Sequence, residues 1–326
     1  MPMLYLVEQG AVLGHEGERL VIRKGDSVLL HIPVFRVEGV WIFGNVQVTT
    51  PAIGLLLAHG IETCFFTMGG RLKGRLTPLV SRNVPLRLRQ FERYQDEAFR
   101  LAVARQVVTA KLIHARRLVM RHARDHPDPA WEGPLRALEQ GLAQVKNAPH
   151  LSALRGLEGR STAAYFEAFR KMVRGELPFE GRTRRPPRDP VNAMLSLGYA
   201  LLTGELIGKI AAFGLDPYLG FYHEIRHGRP ALALDLLEEF RHTLVDRLVL
   251  RLVNRRSFRP EDFIRQDEGV WLSPEALRRY LAAYEACMRQ PAPGGRTWRE
   301  LLDEQIRRMV RAILHGEPYR PLDVEL

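Results

Sequence analysis

The chain has 326 residues, 46% of them hydrophobic and 26% charged, which is ordinary for a globular protein and enough for two cores, so two domains are expected. No uninterrupted apolar run approaches the roughly 18 residues of a membrane span, the start MPMLYLVEQG lacks the basic and small-residue features of a signal peptide, and two cysteines allow neither a disulfide framework nor a cysteine metal site. A cytoplasmic protein is expected, and its net charge of +11 points to a polyanionic partner, nucleic acid ahead of a membrane surface, because no basic amphipathic helix stands alone at either end.

Between Met3 and Pro78 short alternating runs, LYLV, AVLGH, RLVIRK, SVLLHIP and GVWIFG, are separated by turn residues such as Gly25-Asp26 and predict strands. Thr50-Pro51 is expected to cap and start one helix, which ends at Gly60 before the strand ETCFF; GGRLKGRL follows as a last hairpin or bent strand. Cys64 in that strand and Cys287 in a later helix are expected as core thiols.

Residues 1–84 therefore form a small β-rich domain, and the Pro- and Arg-containing stretch 85–95 is assigned to a linker. Residues 96–326 are expected to be all helical, which makes the fold class α+β. From about Asp96 to Arg124, Phe99, Val103, Val107, Leu112 and Leu118 mark the apolar face, with Lys111, Arg117 and Arg121 on more exposed ones. GRTRRPPRDP, Gly181 to Pro190, cannot build a core; it is expected as a mobile loop whose Arg182, Arg184 and Arg185 are exposed. Helices over Ser273–Arg289 and Thr297–Gly316 close the chain as scaffold.

Polar residues set into apolar runs mark the chemistry, because a buried carboxylate or imidazole needs a partner. Glu158 is such a residue, although taken alone a carboxylate near a helix start, stabilised by the dipole, is the better account of it. Asn192 and Ser196 lie one turn apart in the otherwise apolar RDPVNAMLSLGYALL, serving either interhelical bonding or the orientation of a carboxylate or phosphate, and Asp189-Pro190 caps that helix. HEIRH, His223 to His227, matches the zinc-peptidase signature, but Pro217 and Gly220 before it and Gly228 and Pro230 after it leave barely two turns for the helix which that signature requires. Asp235 and Glu238 are spaced to share one face of a helix running through ALALDLLEEFRHTLVDRLVLRL; a solvated stripe explains Glu238 more easily than Asp235, which lies between leucines.

Several of these words occur in a set order. LEGRSTAAYF, RDPVNAMLSLGYALL and GFYHEIRHGRPALALDLLEEFR, with VTTPAIGLLLAHGIETCFF and GRLKGRL upstream, resemble the CRISPR-associated integrase of the spacer-adaptation module, numbered "one" in that system, over nearly the whole chain. The resemblance implies a metal-dependent DNA endonuclease and integrase that inserts short foreign DNA fragments at a repeat by transesterification. It implies Mg²⁺ or Mn²⁺ held by Glu158, His223 and Glu238, with Asp235 as an additional or outer acid and Asn192 and Ser196 in support. Lys111, Arg117, Arg182, Arg184 and Arg185 are the candidate DNA contacts. A homodimer joined through the β-rich domains, and two such dimers bridged by the small companion adaptation protein in a heterohexamer, follow from the same resemblance. A zinc peptidase and a non-catalytic basic DNA-binding scaffold are the alternatives.

Overall fold

Alternating apolar residues and glycine turns produce the early strands in order: β1 (Met3–Leu6), β2 (Val12–Glu16), β3 (Arg19–Lys24) and β4 (Ser27–Pro33). Gly17 and Gly25, at φ 53° and 54°, supply the left-handed turns of the two hairpins that join β2, β3 and β4. Then come β5 (Gly39–Phe43), β6 (Gln47–Val48), α1 (Thr50–Ala58), β7 (Glu62–Phe66) and β8 (Leu72–Leu76). The cap of α1 is Thr49 rather than Thr50, since its hydroxyl accepts from Ala52 N at 3.3 Å. The computed structural model describes residues 2–77, 83–292 and 294–324. Two units divide the chain, the first Met1–Val80 with Leu272–Glu285, the second Ser81–Trp271 with Ala286–Leu326.

Two four-stranded sheets make up the β part of the first unit, in the orders β1-β5-β7-β8 and β4-β3-β2-β6. β5 pairs in parallel with both β1 and β7, and is buried along its whole length. Val40, Trp41, Ile42 and Phe43 are therefore core. Leu13, Leu20, Ile22, Val34, Ala52 and Leu56 pack with Val40 and Ile42, while Trp41 and Phe43 on the other face meet Phe66.

The second unit contains α2 (Val84–Gln95), α3 (Glu97–Asp125), α4 (Glu132–Val145), α5 (Leu151–Met172), α6 (Pro190–Ala212) and α7 (Ala231–Phe240). A π-helical turn over Arg241–Asp246 leads from α7 into α8 (Arg247–Asn254). The hairpin β9 (Phe263–Gln266) and β10 (Gly269–Leu272), α9 (Pro274–Arg289) and α10 (Trp298–His315) follow. Two expectations are corrected here. The stretch assigned to a linker is α2: Asn83 accepts from Leu86 N at 3.2 Å, Pro85 occupies the first turn, and buried Gln90 donates to the carbonyls of Asp216 and Leu219 at 2.9 and 2.8 Å. The region after residue 96 is not all helical, because the β9–β10 hairpin turns at Asp267, whose φ is 54°.

α6 is long and apolar enough to cross a membrane by length and composition, although Asn192, Ser196 and Glu205 interrupt its apolar run, as expected. Its apolar window is 83% buried within the fold, which is how a core helix packs. It forms the centre of the second unit, with α7 laid against it and α3 against α7. Cys64 and Cys287 are both buried free thiols, as expected.

Candidate active site

Three elements bring acids to one point. α5 carries Glu158 in its middle rather than at its start, α7 carries Asp235 and Glu238, and the loop between α6 and α7 carries His223. Lys111 of α3 lies between the two glutamates, its Nζ in contact with Glu158 Oε1 and 2.8 Å from Glu238 Oε2. Its side chain is only 3% exposed. Glu158 also accepts from Thr162 Oγ1 at 2.8 Å, and Arg241 Nη1 donates to both oxygens of Glu238 at 2.9 and 3.0 Å. Burial opposes ionisation of both acids, but Lys111 holds Glu158 below its usual range, and Arg241 with Lys111 holds Glu238 well below it.

Asp235 serves a different purpose. Its carboxylate accepts from the backbone N–H groups of Phe221, Tyr222 and His223 at 2.6, 3.0 and 2.9 Å, and from His223 Nδ1 at 2.8 Å. With four donors it is saturated, so it orients the imidazole instead of facing a substrate. A carboxylate at Nδ1 fixes the proton there and leaves Nε2 with its lone pair, 3.9 Å from Glu238 Oε1. Gly220 makes the approach possible: a Cβ there would lie 2.7 Å from Asp235 Oδ2 and 2.6 Å from the Ala231 carbonyl carbon.

The residues fit a divalent cation. Among the described residues no group of three or more His, Cys, Asp or Glu already stands at ligand spacing. A cation nevertheless sits between Glu158 and Glu238, the Lys111 ammonium, and the bare Nε2 of His223 faces the same carboxylate. An imidazole nitrogen with two carboxylates is a donor set that suits Mn²⁺ and Mg²⁺.

The HEIRH segment is irregular rather than helical, so His223 and His227 are not stacked one turn apart. Glu224 points away to Arg155 at 2.7 Å and Arg226 at 3.0 Å. A zinc-peptidase site is not formed.

Several candidate DNA contacts are relocated. Lys111 is internal to the acid cluster. Arg117 pairs with Asp323 at 2.5 Å and donates to the Val324 carbonyl at 2.9 Å. Arg182 is half-buried, donating to Asn192 Oδ1 at 2.8 Å and Ser196 Oγ at 3.1 Å, and burial pushes its guanidinium down to about 10. Asn192 also takes Thr183 N and donates to the Gly181 carbonyl, so the loop expected to be mobile is stapled to α6. Asn192 and Ser196 thus hold the loop, not the acids. Arg184 and Arg185 remain exposed.

Behind Glu238 the polarity continues. Arg241 lies over the Tyr199 ring at 4.4 Å, with Arg182 at 5.4 Å from the same ring. Tyr199 donates to Asp246 Oδ1, and Tyr165 and His242 meet Asp246 Oδ2, both at 2.7 Å. This buried network was not recognised from sequence, nor was the position of Lys111. The apolar spacing Val107, Val108, Lys111, Leu112, Ala115 places Lys111 on the buried face and carried the signal.

Beside the network, His114 donates from Nδ1 to the Glu239 carbonyl at 2.9 Å, while its buried Nε2 has no partner among the described residues. Burial, reinforced by His242, pushes it down to about 4. Because the folded value lies below the ordinary one, the stability it contributes is complete above about pH 6.5 and lost as pH falls through about 4. Acidifying from pH 7.5 to 4.5 should cost about 2 to 3 kcal/mol through this group. Urea unfolding at the two pH values should show His114→Gln losing less stability than the parent chain; an equal loss would refute the assignment.

The family model for CRISPR associated protein Cas1 matches residues 4–286. The chain belongs to the Cas1 family. It is 37% identical over 330 residues to the CRISPR-associated endonuclease Cas1 3 of Thermus thermophilus, covering 99% of this chain and 97% of that one. The Cas1 protein from Thermotoga maritima superposes with a TM-score of 0.85 at 26% identity, covering 99% of this chain and 100% of that one. A chain of a Cas6-RT-Cas1–Cas2 complex gives 0.85 at 26% identity, with 99% of this chain matched to 36% of that longer chain. The Cas1 relationship supports neither the peptidase nor the non-catalytic scaffold.

Proposed function

We propose that this chain is a metal-dependent endonuclease and integrase of CRISPR adaptation, using Glu158, His223 and Glu238 as one site. Both carboxylates meeting at the Lys111 ammonium, with the imidazole Nε2 3.9 Å from Glu238, carry this reading. The 3′-hydroxyl of a short DNA fragment attacks a phosphodiester at a repeat edge; a new O–P bond forms and the bond to the displaced 3′-oxygen breaks, which leaves a free hydroxyl. A divalent cation, Mg²⁺ or Mn²⁺, would supply Lewis-acid polarisation of that phosphate. Glu158 and Glu238 provide negative charge, His223 a neutral nitrogen, and Asp235 keeps that nitrogen aimed. Arg184 and Arg185, exposed ahead of α6, suit a nucleic-acid backbone. Strand transfer on labelled duplex DNA, with and without Mn²⁺, tests the reading; peptide cleavage, or DNA binding with no product under any divalent ion, would reject it.

The partners extend the same reading: duplex DNA, a second copy, and the companion adaptation protein (Cas2) in a heterohexamer. The similarity to a chain of a Cas1–Cas2 complex supports the companion. For the second copy the supporting surface is β4, at the edge of its sheet, where Val28, Leu29 and Leu30 are 54%, 48% and 38% exposed and Phe35 beyond them 64%. An apolar edge strand bare on both faces invites pairing with a like strand. Sedimentation of the full chain should give a dimer, and Leu29→Glu with Phe35→Glu a monomer. A monomeric parent or a dimeric variant would remove β4 from the interface.

A further inference from the structure

On a different wall of the second unit lies a cavity of ≈ 350 Å³ whose lining includes Thr243, Leu244, Arg247 and Arg251 on one side and Cys287 and Gln290 on the other. None of Glu158, His223 or Glu238 lines it. The cavity and the acid cluster share one element, the π-helical turn, which presents Arg241 to Glu238 and Thr243 and Leu244 to the cavity.

Its cations lack acids. Among the described residues Arg247 and Arg251, which line it, make no ion pair with a carboxylate, and neither do Arg121 of α3 and Arg255 outside the lining, whereas Arg117, Arg241 and Arg299 do. Burial and the neighbouring charges of Arg121 and Arg251 pull Arg247 below the usual arginine value, and no carboxylate offsets them. Arg251 reaches the Cys287 thiol. A basic residue in the last turn of a helix gains from the dipole, which accounts for Arg251 but not for Arg247 or Arg121.

We infer that this cavity is a second phosphate site, at which Arg247 and Arg251 hold the sugar–phosphate backbone of DNA away from the reacting bond, with the charge of Arg121 beside Arg247. The inference rests on the DNA reading above. Spacing favours a polyanion over a single carboxylate: Arg247, Arg251 and Arg255 follow one another every four residues, about 6 Å apart along the helix. A line of repeated positive charge matches repeated phosphates, and each guanidinium can engage two phosphate oxygens. It also gives a use to part of the net charge of +11, since Lys111, Arg117 and Arg182 are committed to internal partners.

The test compares the full chain with Arg247→Gln/Arg251→Gln by fluorescence anisotropy of a labelled DNA duplex at a series of salt concentrations. Loss of two phosphate contacts should flatten the log–log salt dependence by about 1 to 2 units. The thermal transition should stay put or rise, because the substitutions relieve repulsion among the arginines. A parent chain that does not bind DNA at low salt overturns the functional reading itself. Parent binding with an unchanged slope in the variant overturns the second site alone. So does a variant that keeps the parent slope for DNA while losing affinity for a labelled polyglutamate peptide, which would make the cavity a contact for an acidic protein.

Discussion

Glu238→Gln should abolish strand transfer, with product formation falling at least about 100-fold, while duplex DNA still binds. The amide keeps the size of the side chain and removes the charge that attracts a divalent ion. It also leaves Lys111 and Arg241 facing each other with less negative charge between them. Glu224→Gln is the matched control, because Glu224 is an exposed partner of Arg155 and Arg226 and should change activity less than about twofold. Full activity in Glu238→Gln together with loss in Glu224→Gln would overturn the site.

Lys111→Met should destabilise the chain without added metal and stabilise its metal complex. Two carboxylates lose the ammonium that neutralises them in a nearly dry site, at a cost of about 3 to 5 kcal/mol. That corresponds to a fall of roughly 10 °C in Tm for a unit of this size. Mn²⁺ should restore most of the loss. It should also bind the variant at least about tenfold more tightly than the parent, where it competes with a resident cation. Calorimetric titration and thermal melts with and without Mn²⁺ measure both. Equal metal affinity in the two proteins, or a variant as stable as the parent in metal-free buffer, would show that Lys111 and the ion do not contend for one place.

The strands from β1 to β8, apart from the two-residue β6, were legible because alternation and glycine turns are local signals, and α6 announced itself through Asp189 and Pro190. α2 was not, because arginines at three of its first ten positions hide a short apolar face whose anchor, Gln90, bonds to backbone carbonyls more than a hundred residues away. For the site, the words around Glu158, His223 and Glu238 were readable, whereas their connections were tertiary. Nothing local says that Asn192 would staple a loop, that Asp235 would be spent on backbone N–H groups, or that an ammonium from α3 would stand among the acids. The π-helical turn interrupts a run whose composition is helical throughout, and periodicity does not register one extra residue in a turn.

The grip of Asp235 on the loop is made through main-chain groups, so it reads the number of residues between Gly220 and Asp235 and not their side chains. The Tyr222 ring, edge-on to the His223 imidazole at 5.1 Å, adds a side-chain contact to that main-chain register. An insertion or deletion of a single residue in the same loop would slide the N–H groups out of register with the carboxylate. Beyond Gly220, Tyr222 and His223 the spelling of this loop is free to drift, while its length is held.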